Sequence, residues 1–338
     1  MYSNSEAIIR PDLNAVIEEA AAADKFFIAD IVMPVKFSKR RTGEYHRITR
    51  AKSKLLAADL GDSTRRAPKA SYKEVDRTYE KANYATVDRG LKEKIDDTDA
   101  AEVAPSFDAE STSVRLVYRN MAIAREKRVA ETIINTTTFT AADAAVAYTE
   151  ANIATLDFAQ DIEEAIARVQ KRGEMVNAVI MSRNVWKRIR RSTLLRKYLF
   201  GDSGGNQMIS ADLLAKAFSE SASLRFIIAE ASYAPSADDG TDSSLSYIWP
   251  DTHIWVGSLW DGMDRAAPSD QSNGDAGTII IPYGVGATLV WEQMADSVFV
   301  TDSYRDEDHL SDVVRVRQHS TEKVFNALCG TLITTSYA

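Results

Sequence analysis

The sequence predicts an α+β fold in which many short strands are arranged around one long helix. Residues 108–135 lack glycine and proline, and as a helix they would extend roughly 40 Å at about 1.5 Å per residue. The apolar side of this helix changes direction midway, which is typical of a helix that packs on two different layers. Short segments with the period-two alternation of β-strands lie before and after it.

The composition is that of a globular protein and excludes several classes. The chain has 338 residues, of which 45% are hydrophobic and 27% charged, so it can bury one large core or two to three subdomains. Its net charge of −8 implies no general attraction to nucleic acid or to anionic membranes. No signal pattern or run of about 18 apolar residues occurs, so we expect no membrane span and synthesis in the cytoplasm. The single cysteine, Cys329, excludes an internal disulfide and a cysteine-based zinc site.

Residues 1–30 are predicted to be an N-terminal arm that contains a short helix. Asp12 is a suitable cap for residues 13–23, and Val16, Ile17 and Ala20 would face inward. Two roles remain open for this segment, a peripheral helix of the same domain and a strap that reaches a neighbouring subunit.

Residues 31–82 are predicted to form an extended β-hairpin loop. Strand patterns occur at 31–37, 44–50 and 71–79, yet few large apolar residues lie between them, so the ribbon needs a surface to lie on. A mobile solvated hairpin and a nucleic-acid contact are alternatives, but we favour a loop that lies on an acidic neighbouring subunit. One acid, Glu44, accompanies eight basic residues here: Lys36, Lys39, Arg40, Arg41, Arg47, Arg50, Lys52 and Lys54.

Residues 83–105 are predicted to begin with a helix and to continue into an acidic turn. Val87, Leu91 and Ile95 recur every four residues, as on one face of a helix. A calcium-binding loop starting at Asp96 needs glycine and glutamate where this chain has Ala101 and Phe107, so we expect no metal site. The turn carries four carboxylates: Asp96, Asp97, Asp99 and Glu102.

The central helix is predicted to place two apolar groups on different sides. Arg115, Arg119 and Glu126 form a polar stripe that should face solvent or a neighbouring subunit. The apolar residues of the predicted helix are Val114, Val117, Met121 and Ala124 in the first half, with Ile133 and Ile134 in the second, joined by Ala122, Val129 and Ala130.

Helices, strands and acidic loops share the remainder of the chain. Asp157 and Gly173 mark the start and end of a helix at 158–172, Ser182 precedes a basic helix at 183–198, and Ser210 opens a helix to residue 218. The seven cations of the basic helix would form a solvated face, contact an acidic neighbour or contact nucleic acid. Strands are predicted at 176–181, 226–229, 247–249, 254–259, 278–282, 287–291 and 313–318, with a last apolar segment at 324–335.

Residues 201–205 read Gly-Asp-Ser-Gly-Gly, the nucleophile motif of chymotrypsin-like proteases. A serine hydrolase that uses Ser203 is therefore a remote alternative. We reject it because His46 lies in a basic ribbon and a helix, not a barrel strand, leads into the motif. The acids of residues 296–312, set against Arg305 alone, instead complement the basic hairpin. The predicted inter-subunit contacts on this acidic side are Asp302, Asp306, Glu307 and Asp308.

The order of these parts resembles the major capsid proteins of tailed phages, which have the Hong Kong 97-type fold. The resemblance runs from about residue 28 to the end, through 84–97 (YATVDRGLKEKIDD), 124–130 (AREKRVA), 177–186 (NAVIMSRNVW) and 327–333 (ALCGTLI). It implies an arm at 1–30, an extended loop at 31–82, a peripheral domain at 83–174 with a spine helix at 108–135, an axial domain at 175–285, and return strands of the peripheral domain at 286–338.

The resemblance also implies a function. Such a chain would be a structural protein of the virion, without enzymatic activity or cofactor, that self-assembles into hexamers and pentamers of an icosahedral shell around double-stranded DNA. Its partners would be its own copies, scaffold, portal and cement proteins, and DNA held non-specifically on the inner face, with no membrane. An encapsulin-type cellular compartment is the alternative. About 30 residues precede the loop, so we expect no fused scaffold, and no acceptor asparagine is positioned for a covalent cross-link.

Overall fold

The structure, a computed structural model, describes most of the chain outside the hairpin tip and several loops. The described residues are 8–23, 26–48, 65–66, 68–71, 79–103, 108–201, 207–218, 224–234, 245–260, 284–292 and 298–337. The predicted strand at 278–282, most of the predicted strand at 71–79, and Arg50, Lys52, Lys54 and Ser203 lie outside these residues.

Eight α-helices and fifteen strands are present in the described part of the chain. The helices are α1 (Pro11–Ala23), α2 (Ala29–Val32), α3 (Asp97–Val103), α4 (Ala109–Ile133), α5 (Phe158–Gln170), α6 (Arg183–Ile189), α7 (Thr193–Phe200) and α8 (Ala211–Ala217). The strands are β1 (Ile8–Ile9), β2 (Val35–Ser38), β3 (Thr42–Ile48), β4 (Tyr79–Ala85), β5 (Val87–Asp96), β6 (Ala141–Asp143), β7 (Ala178–Ser182), β8 (Arg225–Ala229), β9 (Ser232–Tyr233), β10 (Ser246–Tyr247), β11 (His253–Gly257), β12 (Gly286–Trp291), β13 (Val300–Asp306), β14 (Ser311–Val324) and β15 (Gly330–Thr334).

The first sheet has six strands in the order β1-β13-β14-β12-β2, with β5 along the other side of β14. Ser320 of β14 pairs with Val87 of β5 and also with Val290 of β12, so β5 and β12 lie on opposite sides of that strand. A turn of 3-10 helix, Glu307–His309, joins β13 to β14. The apolar residues Val314 and Val316 of β14 pack toward the central helix.

The second sheet has five strands in the order β6-β15-β11-β7-β8. Helices α5 and α6 cover one of its faces, where Ile162 and Trp186 share a buried cluster with Val179. On the other face Trp255 makes an edge-to-face contact with Phe139, with 6.1 Å between ring centroids. Trp255 belongs to the same buried cluster as Ile133 of the central helix.

The central helix, α4, confirms the predicted helix and its two packing layers. Asp108 is the N-cap, and its carboxylate accepts a hydrogen bond from the backbone N–H of Ser111 at 3.3 Å. Val114, Val117 and Met121 pack with α1 and the first sheet, whereas Val129, Ala130 and Ile133 join the cluster that contains Trp255 and Leu332 of the second sheet. Ala124 and Ile134 are half-buried.

The predicted helix at 83–95 is wrong, because these residues form β4 and β5. A spacing of four residues places side chains on one face of a helix, but it also places them on one face of a strand. Ten residues of β5 pair antiparallel with β14, from Val87 opposite Ser320 to Asp96 opposite Ser311. The long partner strand therefore decides the conformation, which the sequence of residues 83–95 alone leaves ambiguous.

Three further boundaries differ from the predictions. The basic segment 183–198 is two helices, because Ser192 caps a second one by accepting a hydrogen bond from the Leu195 N–H at 3.2 Å. The predicted strand at 31–37 begins as the helical turn α2. Strand β15 lies in the second sheet, so it does not return to the first sheet with the rest of residues 286–338. Its neighbours β6 and β11 supply the hydrogen bonds that hold it there.

The predicted helices at 158–172 and 210–218 are confirmed. Asp157 and Ser210 cap them, accepting hydrogen bonds from the backbone N–H groups of Gln160 and Leu213 at 3.1 and 3.2 Å. Gly173, with φ of 81°, follows the first of them in the left-handed conformation that glycine adopts without steric cost.

Candidate inter-subunit surfaces

The basic hairpin consists of β3 and β4, paired antiparallel from Thr42 opposite Ala85 to Ile48 opposite Tyr79. Two buried tyrosines anchor its base: Tyr45 is 2% exposed and Tyr84 is 4% exposed. The Tyr45 ring lies edge-on to Phe325, with centroids 5.1 Å apart. Tyr84 shares a hydrogen bond with the hydroxyl of Ser38 at 2.7 Å. The hairpin therefore leaves the body of the protein from a fixed base.

Four of the described basic residues lie beside this base in the chain: Lys36, Lys39, Arg40 and Arg41. Lys39, Arg40 and Arg41 are exposed, whereas the ammonium group of Lys36 lies 5.6 Å above the ring of Trp260. Arg47 lies on β3, in register with Glu80 of β4. Three consecutive exposed cations are thus held at the point where the hairpin meets the first sheet.

The structure contradicts the prediction that Asp302 is available to a neighbouring subunit. Its side chain is 1% exposed and accepts hydrogen bonds from Arg315 at 2.7 and 2.9 Å. Arg317 also approaches it at 2.7 Å. The register of β13 on β14 places Asp302 directly opposite Arg315, so the pair forms within one chain. The carboxylate raises the pKa of Arg315, and no sequence pattern indicated this pairing.

The other predicted acids lie at the end of the first sheet. Asp306 is 2.8 Å from the Lys94 ammonium and 3.0 Å from the His309 ring, and these bonds lower the pKa of Asp306 to about 2. Glu307 and Asp308 are exposed on the adjoining turn. Arg305 forms ion pairs with Asp97 and Asp312, and these carboxylates, Asp97 above all, raise the pKa of Arg305 above its usual value.

Helix α3 adds more carboxylates to this end of the sheet. The backbone N–H of Asp97 donates to the Leu310 carbonyl at 3.2 Å, which places α3 beside the turn. We call this region the acidic end. It comprises Asp96, Asp97, Asp99, Glu102, Asp306, Glu307, Asp308 and Asp312, with Lys94, Arg305 and His309 among them. Eight acids against two permanent cations leave it strongly negative.

Glu126 does not face solvent or a neighbour, which corrects the predicted polar stripe of the central helix. Its side chain is 0% exposed, while Arg115 and Arg119 are exposed as predicted. The Glu126 carboxylate accepts hydrogen bonds from the Ile28 and Ala29 N–H groups at 3.1 and 2.8 Å, and from the Trp249 indole at 2.5 Å. Burial raises the pKa of Glu126, partly offset by these donors.

The bonds of Glu126 join three parts of the chain. Two of its donors are the unpaired N–H groups at the start of α2, and the third belongs to the loop before β11. Beside it, Arg125 is also buried and binds Asp30 of α2 at 2.7 Å. We call Arg125 and Glu126 with these partners the buried clamp. It holds the N-terminal segment to the central helix, and its charged residues gave no sign of burial in the sequence.

A membrane-spanning helix and a metal site each make structural requirements of the described residues. None of their helices is long and apolar enough to cross a membrane. No group of three or more histidine, cysteine or carboxylate side chains among them is arranged to hold a metal ion. Ser203, the nucleophile of the remote hydrolase alternative, lies outside the part of the chain that the structure describes.

Solved structures similar to this chain are capsid and phage-related proteins. A phage-related protein from Bordetella bronchiseptica RB50 is 17% identical, with a TM-score of 0.65 over 98% of both chains. A virus-like particle from Pyrococcus furiosus is 8% identical, with a TM-score of 0.55 over 96% of this chain and 98% of that one. The capsid of cyanophage P-SCSP1u is 10% identical, with a TM-score of 0.52 over 90% and 86%.

These similarities establish the fold. No protein-family model matches the sequence, and no curated protein matches it either. The match to the phage-related protein covers 98% of this chain, so it includes the hairpin, both sheets and the central helix together. The chain therefore has the mixed α/β fold of phage capsid proteins.

Proposed function

We propose that this chain is the structural subunit of an icosahedral phage capsid. The observation that carries the proposal is the similarity of fold to the capsid of cyanophage P-SCSP1u over most of both chains, together with the near-complete match to the phage-related protein. In this proposal the parts take the Hong Kong 97-type layout, with an N-terminal arm, the hairpin as the extended loop, α4 as the spine helix, the first sheet as the peripheral domain and the second as the axial domain. Because β6 and β15 lie in the second sheet, we assign them to the proposed axial domain in addition to residues 175–285.

Assembly in this proposal uses contacts between the basic hairpin of one copy and the acidic end of the next. Lys39, Arg40 and Arg41 are exposed at the base of the hairpin, and Glu307 and Asp308 are exposed at the acidic end. Asp302 takes no part because it is buried within its own chain. Each exposed ion pair contributes about 1 kcal/mol or less, but a closed lattice repeats the contact many times.

The shell in this proposal consists of hexamers and pentamers that enclose double-stranded DNA, bound non-specifically to the inner face. Scaffold, portal and cement proteins are its further partners, and the chain itself has a structural role without catalysis. A chain of net charge −8 with local basic patches is compatible with DNA contact at one face only, because it does not attract nucleic acid over its whole surface.

Charge reversal on the hairpin tests the assembly contact. Replacing both Arg40→Glu and Arg41→Glu places acids opposite acids, so we expect the double variant to sediment as small oligomers under conditions in which the unmodified protein forms large assemblies. Raising the salt concentration should slow assembly of the unmodified protein, because exposed ion pairs are screened. Sedimentation velocity and light scattering measure both effects.

Arg115→Glu is the matched control for these reversals. Arg115 is 55% exposed and lies on the central helix, away from the hairpin, where it binds Glu19 at 3.1 Å. We expect this variant to assemble as the unmodified protein does. Normal assembly of the Arg40→Glu, Arg41→Glu variant, or assembly that is indifferent to salt, would remove the proposed contact.

A further inference from the structure

Strand β5 leaves a long edge of the first sheet open. All ten of its residues pair with β14 on one side, and no described strand pairs with them on the other. The opposite edge of the sheet differs, because β1 of the N-terminal segment covers β13 there. An open strand edge carries unpaired N–H and C=O groups that can pair with another chain. What the edge binds then depends on the order of its side chains.

The residues of β5 are complementary to themselves when the strand is reversed. If two copies pair antiparallel with Leu91 opposite Leu91, four of the six charged residues of β5 meet a residue of opposite charge. Of the other two, Lys92 meets Gly90, which has no side chain to clash with it, and Asp96 meets the neutral Thr86 just before the strand. The opposed pairs are Val87 with Ile95, Asp88 with Lys94, Arg89 with Glu93, Gly90 with Lys92, and Leu91 with itself.

On the helix-facing side of β5, two apolar side chains and one carboxylate oxygen have contacts to gain from this pairing. Val87 and Leu91 are 47% and 44% exposed, although Arg89 and Glu93 on the same face of the strand are half-buried. The Glu93 carboxylate has one oxygen that is shielded from solvent and has no hydrogen-bond partner among the described residues. Arg89 is held in place by donating to the Ser320 carbonyl at 2.8 Å. A second copy would bring its Arg89 opposite Glu93 and its Leu91 onto Leu91.

We propose that β5 is an isologous interface, at which two copies of this chain join their first sheets across a twofold axis through Leu91. The axis is perpendicular to the sheet, so directly opposed residues lie on the same face. Both central helices then lie on the same side of the joined sheet, as two neighbouring subunits of one shell must. Two Arg89–Glu93 pairs flank Leu91, and two Val87–Ile95 contacts close the ends.

A single cysteine tests the axis directly. In the purified full-length protein, Leu91→Cys places two thiols opposite each other, with Cα atoms about 4.5–5.5 Å apart, within the range of about 4.4–6.8 Å for disulfides. Oxidised glutathione should therefore convert this variant to a covalent dimer, seen on a non-reducing gel. The native Cys329 is 1% exposed and does not compete. We expect dimer to form at least tenfold faster than in the unmodified protein.

Val87→Cys is the matched control on the same strand. Two Val87 positions would lie about 27 Å apart, eight residues along the pair, so this variant alone should not dimerise. A mixture of Val87→Cys chains with Ile95→Cys chains should cross-link. Failure of Leu91→Cys to cross-link, or equal cross-linking of Val87→Cys with itself, would overturn the register.

The place of this dimer in a lattice rests on the proposed shell function, whereas the dimer itself does not. Cross-linking requires only two copies, so the two ideas fail separately. Shells that form without a Leu91→Cys cross-link would remove this interface and leave the shell. A cross-linked dimer in a protein that never forms shells would keep the interface and remove the shell.

Discussion

The two halves of the central helix are stabilised in different ways. In the first half Val114, Val117 and Met121 pack on α1 and β14, and the charged residues Arg115 and Arg119 are exposed. In the second half Arg125 and Glu126 are 4% and 0% exposed, among the apolar residues of a different cluster. The first half follows the ordinary rule for an amphipathic helix, whereas the second half depends on the buried clamp.

This difference has energetic consequences. Truncating a buried apolar side chain lowers the free energy of unfolding roughly in proportion to the atoms removed. Removing a buried carboxylate costs more, because its hydrogen-bond donors are left unsatisfied. The Glu126 carboxylate faces three donors, and its location joins the N-terminal segment, the central helix and the loop before the second sheet. Substitutions in the second half should therefore affect the relative arrangement of these parts as well as stability.

The largest expected effect comes from removing the carboxylate of the buried clamp. Glu126→Leu leaves the N–H groups of Ile28, Ala29 and Trp249 without their acceptor, so we expect the free energy of unfolding to fall by about 3–4 kcal/mol. Urea denaturation followed by tryptophan fluorescence measures the change. Glu131→Leu is the matched control, since Glu131 is exposed on the same helix, and it should change stability by less than about 0.5 kcal/mol. Equal effects of the two substitutions would contradict the clamp.

A smaller effect is expected from a truncation in the first half. Met121→Ala removes an apolar side chain that is 3% exposed, and we expect a loss of about 2 kcal/mol. Leu116→Ala, at an exposed position of the same half, should cost less than about 0.5 kcal/mol. Urea denaturation also measures these changes. A loss at Leu116 as large as that at Met121 would mean that this half does not pack as described.

The smallest expected effect is a pH dependence of stability. It should arise from the second half of the central helix, which contains the buried carboxylate of Glu126. Burial raises the folded-state pKa of Glu126, so the folded state binds a proton more tightly than the unfolded chain. The associated stability is fully present below the unfolded pKa and is lost as pH rises through the folded pKa. Relative to Glu126→Gln, the unmodified protein should therefore gain stability as pH falls through this window. Parallel stability curves for the two proteins would show that the carboxylate does not titrate there.

Much of the fold could be predicted from local patterns. The extent of the central helix, and the cap at Asp157 and glycine stop at Gly173 of helix α5, depend on neighbouring residues only, and the structure confirms them. Strand β5 could not be distinguished from a helix, because its spacing of four suits both and the deciding partner, β14, is more than 200 residues away in the chain. Long-range pairing of this kind leaves no local trace.

The charged surfaces also combine features that the local sequence predicts with features that long-range strand pairing decides. The exposed cations Lys39, Arg40 and Arg41 follow from a basic run with few apolar residues, and the structure leaves them exposed. Asp302 belonged to an equally clear acidic run, yet the register of β13 on β14 buries it against Arg315. Which charges remain available to a neighbour is decided by strand register, and the inter-subunit roles of both runs stay predictions.

Electron microscopy of the purified full-length protein tests the proposed shell most directly. A shell subunit is expected to form closed round or angular particles of uniform diameter, visible by negative staining at low to moderate salt. Only monomers or small open oligomers, across the salt and protein concentrations at which the hairpin and the acidic end attract each other, would contradict the assignment.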